Sequence, residues 1–179
     1  MISFIRQSKM EASELKAAYL RQVEKARLQG VCLPADKVEV RDAVRLRCQI
    51  PLCKHYGNNR VCPPFAPPLA DFRRALADYE LAFLLKLEVP LTKGRSREGE
   101  LALDDFVFQS ESWAFGQGCY WAFGLVGGAC FRCESCDLTR PCPHPYRPRP
   151  APEGMGIDIT HLAREAGMAV VWPPGEHRG

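Results

Sequence analysis

Leu81-Ala82-Phe83-Leu84-Leu85-Lys86-Leu87-Glu88-Val89 is the stretch whose reading decides the fold, because it is apolar enough to be a central strand. Before it, Pro68 suits the first position of a helix running to about Tyr79. After it, Lys93 to Gly99 is a polar break, and Leu103, Phe106, Val107, Ser110 and Ala114 then share one helical face ending before Gly116. The aromatic run Cys119 to Val126 reads as another strand, so the order is strand, helix, strand. Further out, Ser8 and Glu11 form a possible capping box for a helix that carries Leu15, Tyr19, Val23 and Ala26 toward Gly30. Lys37 to Arg47 alternates apolar and charged residues like a strand or hairpin. Near the end, Asp158 caps a helix closing at Gly167, and Met168 to Trp172 reads as a last strand. The expected fold is α/β: a small mixed sheet from segments near Val38, Leu81, Tyr120 and Val170, covered by helices, with two cysteine-rich metal-binding loops at one end.

Composition narrows the class. A chain of 179 residues with 46% apolar content is expected to fold as one domain, residues 1–179, without needing metal to find a core. A formal net charge of +3, with no basic run interleaved with aromatics, argues against nucleic acid. The first ten residues lack the apolar stretch and cleavage site of a secretory signal, which makes the cytoplasm the expected location. Cys119 to Phe131 is too short for a helical membrane span, so none is expected. In a reducing compartment disulfides are rare, and nine cysteines therefore need another explanation.

Their spacing supplies one. Residues 48–68 hold Cys48, Cys53 and Cys62 among five prolines and a Tyr56-Gly57-Asn58-Asn59 turn signal, without useful periodicity. Residues 130–152 hold Cys130, Cys133 and Cys136 at two-residue spacing, then Cys142-Pro143 after five intervening residues. Such a triplet can turn its thiolates inward around one cubane, with the later cysteine supplying the remaining iron. Structural zinc is the competing reading, although zinc knuckles bring cysteines in pairs. For the first loop the plainer alternative is three packed thiols, since free cysteine is often buried as a small hydrophobe. If that loop binds metal, one coordination position is left for His55, Cys32, Cys119, Cys142 or a small-molecule ligand. His55 reads more readily as a turn residue than as a ligand, since no second histidine pairs with it, His144 beside Cys142 is ambiguous, and Cys32 and Cys119 have the character of core thiols. Arg132, Arg140, Arg147 and Arg149 surround the second loop, where their charge would favour a reduced cluster and an acidic redox partner. Glu153, His161 and Glu165 are acid–base candidates without a nucleophile or paired-carboxylate pattern to support them, and no phosphate-binding glycine loop occurs.

Cys48, Cys53, Tyr56-Gly57, Cys62-Pro63-Pro64, then Cys130, Cys133, Cys136, Cys142-Pro143-His144-Pro145, Arg149-Pro150, Glu153 and Gly156-Ile157-Asp158 together resemble the uncharacterised family of predicted metal-binding proteins catalogued as domain of unknown function 2284. The resemblance covers most of the chain from about Cys48 to Asp158 and implies metal binding. Two departures stand out: Arg149-Pro150-Ala151-Pro152-Glu153 lacks the serine usual after the arginine–proline step, and Cys119 falls where another residue is expected.

The expectation is an iron–sulfur protein with one or two 4Fe-4S clusters, seven cysteine ligands divided three and four between the loops, and electron transfer to or from a partner enzyme. Two alternatives remain open. One is a redox or Lewis-acid enzyme whose open iron site at the three-cysteine loop takes a small-molecule ligand. The other is a zinc-stabilised binding or metal-delivery module.

Overall fold

A computed structural model of the chain describes residues 1–5, 10–88 and 97–170. Strand β1 spans Ile2–Ile5, helix α1 Ala12–Lys25, β2 Gln29–Pro34, α2 Asp42–Leu46, α3 Leu69–Leu76, β3 Leu81–Lys86, α4 Arg97–Gly116, β4 Phe123–Leu125 and α5 Ile159–Glu165, with short 3₁₀ turns at Ala35–Lys37 and Glu153–Met155. The α/β class stands. The strands form one sheet in the order β2-β3-β1-β4, and all pairs are antiparallel.

The apolar run at β3 sits inside this sheet, between β1 and β2, and is buried on both faces. Alternate residues serve opposite layers. Ala82 and Leu84 join Ile2, Phe4 and Leu125 against Phe72 and Leu76 of α3, Met155 and Ile157, and Leu162 and Ala163 of α5. Phe83 and Leu85 join Ile5 against Leu15, Tyr19 and Val23 of α1 and Val107 and Ala114 of α4. Phe4 anchors the first layer by stacking on Phe123, with ring centroids 4.8 Å apart, while Phe72 and Tyr79 meet it edge-on. Helix α4 lies very close to β4. A Cβ placed on Gly124 would come within 2.1 Å of Val107 Cγ1, and the Gly124 amide donates to Glu111 Oε1 at 2.8 Å.

Several local expectations change. Lys37 to Arg47 forms a 3₁₀ turn and α2 rather than a strand or hairpin, because β2 already occupies the outer side of β3. The alternation misleads there because Val40 and Val44 are also four apart, a helical spacing. The strand in the aromatic run is confined to β4. Cys119 to Trp121 instead turn the chain off α4, with the Cys119 amide bonded to Ala114 O at 2.9 Å and Gly118 at φ +88°. Helix α1 ends before Gly30, since Arg27 adopts φ +58° and the chain enters β2. Among the described residues Met168 to Val170 carry no strand pairing; Val171 and Trp172 lie outside those residues, as do Ser8, Val89 and Lys93 to Ser96. Pro68, expected at the first helical position, instead sits one residue earlier at the N-cap of α3, while the expected Asp158 cap is present, its carboxylate accepting from the His161 amide at 2.9 Å. No helix among the described residues is long and apolar enough to cross a membrane.

Candidate metal centre

The first cysteine loop leaves α2 and folds on itself through overlapping turns. The Cys48 amide bonds to Arg45 O, Cys53 to Cys48 O, Tyr56 to Cys53 O, Cys62 to Asn59 O and Ala66 to Cys62 O, all between 2.9 and 3.0 Å. Gly57, at φ +70°, closes the loop by donating to Pro63 O at 2.9 Å. A side chain there would be strained, so the glycine in the Tyr56-Gly57 turn signal has a conformational reason. Arg45 ties the loop's exit to its entrance, donating to Pro67 O at 2.7 Å and Ala66 O at 3.2 Å.

The second loop is held from outside, by an acidic face of α4. Arg132 Nε donates to Asp104 Oδ2 at 2.7 Å, and its Nη2 to Asp105 Oδ1 at 2.5 Å. Arg147 also pairs with Asp105, its guanidinium carbon 4.1 Å from the centre of the Phe108 ring. Arg149 grips Glu111 with two N–H groups, one of them Nε at 2.7 Å. Arg97, in the first turn of α4, donates to Phe131 O at 2.9 Å. Three of the four arginines expected to project positive charge around this loop are therefore paired with carboxylates, and the exposed Arg140 lies 3.6 Å from Asp137. Their local field is close to cancelled.

The two loops meet. Asn59, which is buried, donates from Nδ2 to Cys130 O at 3.2 Å and accepts the Val61 amide on Oδ1 at 3.2 Å. Arg60 Nη2 donates to Asp137 O at 2.9 Å and to Arg140 O. His55 sets its ring edge-on to Phe131 with centroids 5.7 Å apart. Cys130, Cys133, Cys136 and Cys142 all line one cavity of about 320 Å³, whose wall also includes Asn59 and Arg60 from the first loop.

The thiols sense one another across this junction. Burial, then the charges of Cys53, Cys48, Cys130 and Cys136, push the Cys62 thiol up to about 12. Cys48 is raised by burial, Cys53 and Glu153 against the pull of Arg45. Cys130 is raised by burial and by Asp104, Cys133 and Cys136, while a backbone N–H at Arg132 works the other way. Among the described residues, which include all nine cysteines, no disulfide forms. Among the same residues no three Cys, His, Asp or Glu side chains are close enough to grip one metal ion. The thiols share a neighbourhood rather than an assembled coordination sphere.

This donor set fits a thiophilic cation. Ionised together, the thiols would repel, and the arginines nearest the second loop already serve carboxylates. A metal's positive charge would offset that repulsion and lower every thiol's affinity for protons. Among the described residues, burial also leaves Arg60 Nε and Asp104 Oδ1 without hydrogen-bond partners.

The remaining candidates lie elsewhere. Cys32 sits on β2 and Cys119 after α4, both packed on the layer formed with α1, and burial raises the Cys32 thiol. His161 and Glu165 line a separate cavity of about 430 Å³ with Lys37, Arg41 and Asp158. Glu153 acts on Cys48 by charge. Sequence reasoning missed Asn59, Arg60 and the anchors Asp104, Asp105 and Glu111. The anchors had a detectable signal, carboxylates at helical spacing facing a loop rich in arginine.

No curated protein and no solved structure matches the chain. The family described as predicted metal-binding proteins, domain of unknown function 2284, matches residues 31–178, and the chain belongs to that family.

Proposed function

We propose that the chain is a single-domain iron–sulfur protein of the cytoplasm that passes electrons to or from a partner enzyme, with Cys130, Cys133, Cys136 and Cys142 holding one 4Fe-4S cluster and Cys48, Cys53 and Cys62 contributing to a second. The observation that carries this reading is the convergence of four closely spaced cysteines on one cavity, against a loop bearing three more. A cluster held there would accept and release single electrons with little rearrangement.

The protein's own residues have definable tasks in that reading. Arg132, Arg147 and Arg149 fix the path of the second loop against α4, so that only its thiol-bearing turns are left to close at the moment of loading. Asn59 sets the spacing of the loops by joining the backbone of one to that of the other. The exposed Ile50, Leu52 and Phe65 lie on the first loop. Arg47 and Lys54 are close to Ile50 and Leu52 in sequence and no carboxylate falls between residues 43 and 70, so this loop has the apolar, basic character through which an acidic partner could approach the centre.

Protein purified without oxygen and assayed for iron, acid-labile sulfide and zinc provides the test. The expected result is iron and sulfide in equal amounts, with a broad visible absorption that bleaches on reduction. Colourless protein with stoichiometric zinc would remove the redox reading and leave the zinc-stabilised module.

A further inference from the structure

Arg60 belongs to the first loop, yet its side chain lines the cavity of the second loop's four cysteines. Its Nη2 is committed to two carbonyls, Asp137 O at 2.9 Å and Arg140 O, both on the span between Cys136 and Cys142. Those bonds fix the guanidinium in place. Its Nε is nevertheless buried with no acceptor among the described residues. An N–H removed from water and left unmet is costly, and native structures keep few of them. Asp137, the carboxylate on the same wall, already accepts the Thr139 amide at 2.8 Å and its hydroxyl at 2.6 Å. What the wall offers in quantity is sulfur.

We propose that Arg60 Nε donates a hydrogen bond to a metal-bound sulfur of the second loop's centre, thiolate or inorganic sulfide, and so tunes that centre without ligating it. The inference rests on the reading that the second loop's thiolates hold metal. An N–H bond and a fixed positive charge beside a cluster favour its more negative, reduced state, so Arg60 raises the reduction potential. The same bond withdraws electron density from the sulfur and makes it less basic. Arg60 is a positioning and tuning residue, and because it comes from the opposite loop it makes the second centre responsive to how the first loop is packed.

Cadmium-113 suits the test, since soft thiolate sites accept it and it is visible by magnetic resonance. In protein carrying nitrogen-15 arginine, cadmium loading should shift one arginine Nε–H downfield and slow its exchange with water. That proton should also couple through the hydrogen bond to the metal. The signal should be missing from Arg60→Lys at unchanged cadmium stoichiometry, and in iron-loaded protein Arg60→Gln should lower the potential of one centre. The first measurement uses the unaltered chain, so a poorly folding variant does not decide the matter. Cadmium bound in full with no arginine Nε–H coupled to the metal, and with exchange of the Arg60 Nε–H unchanged by loading, would overturn the role of Arg60 alone. A chain that binds neither cadmium nor iron would overturn the metal reading and this inference with it.

Discussion

The first cysteine loop is folded by its own backbone, whereas the second is folded by the side chains of a helix to which it does not belong. Between residues 48 and 66 successive amides find carbonyls a few residues back, and Gly57 closes the circuit onto Pro63. In the second loop turns are sparse, with Arg147 N–H on His144 O and Val126 N–H on Pro150 O among the few backbone bonds, and the shape comes from Arg132, Arg147 and Arg149 clamped on α4. A proline-rich segment has fewer amides to donate, so its geometry has to be set by side chains reaching in from outside. One loop therefore carries its shape in local sequence. The other depends on Asp104, Asp105 and Glu111, which precede the first of its cysteines by 26, 25 and 19 residues.

The sharpest test of that contrast is Glu111→Ala. Glu111 is the acceptor for both Arg149 and the Gly124 amide, and neither side chain of the Arg149–Glu111 pair is more than 20% exposed. Removing it strands a partly buried guanidinium and a strand amide, and is expected to cost about 3–5 kcal/mol in urea unfolding. Glu111→Gln, which keeps an acceptor for Gly124, should cost distinctly less. Hydrogen exchange should rise through residues 130–150 and stay unchanged from 48 to 66. Equal loosening of both loops would show that the second is not held separately.

Asn59→Ala acts where the loops touch. It removes the bond to Cys130 O and the acceptor for the Val61 amide, at an expected cost of about 2 kcal/mol. Unlike Glu111→Ala, it should raise exchange in both loops. Metal content per chain should fall at both together if they load as a unit, and metal analysis of the variant checks this.

Arg45→Met is a smaller perturbation, confined to the first loop. Its two carbonyl bonds are largely at the surface, so a loss of about 1 kcal/mol is expected. Because the overlapping turns remain, the loop should keep its exchange protection apart from the amides near Ala66. A collapse of protection from Cys53 to Cys62 would mean that Arg45, and not the backbone, holds it.

The sequence was most readable where geometry repeats. The run at β3, the stripes of α1 and α4, and the Asp158 cap could be read because each is long or chemically explicit. Ile2–Ile5 could not, since four residues buried on both faces show no alternation to detect. Residues 37–47 misled because their apolar spacing satisfies a helix as well as a strand. At the candidate centre the seven cysteines stood out through spacing. Asn59 and Arg60 did not, because their importance lies in which distant carbonyls they meet, and sequence periodicity says nothing about contacts between residues seventy or more apart.

The smallest expected effect is a slope rather than a loss. Asp104 holds Arg132 through Oδ2, but its Oδ1 is buried and unpartnered. Burial pushes its carboxyl above the usual aspartate range, the neighbouring Arg132 pulls it down only in part, and Asp105 adds to the rise. The folded chain therefore keeps this proton to a higher pH than the unfolded chain does. Its contribution to stability is fully present below the ordinary aspartate pKa, and fades as pH rises through the folded value. Asp104→Asn abolishes that titration. Urea unfolding of metal-free protein, measured from strongly acidic conditions to neutrality, should show the unaltered chain losing ground to the variant as pH rises through that window. Beyond the window the difference should be constant. A difference that does not change with pH would mean that Asp104 has the same pKa folded and unfolded, with the pull of Arg132 fully offsetting its burial and the second loop held by a stronger ion pair than the structure implies.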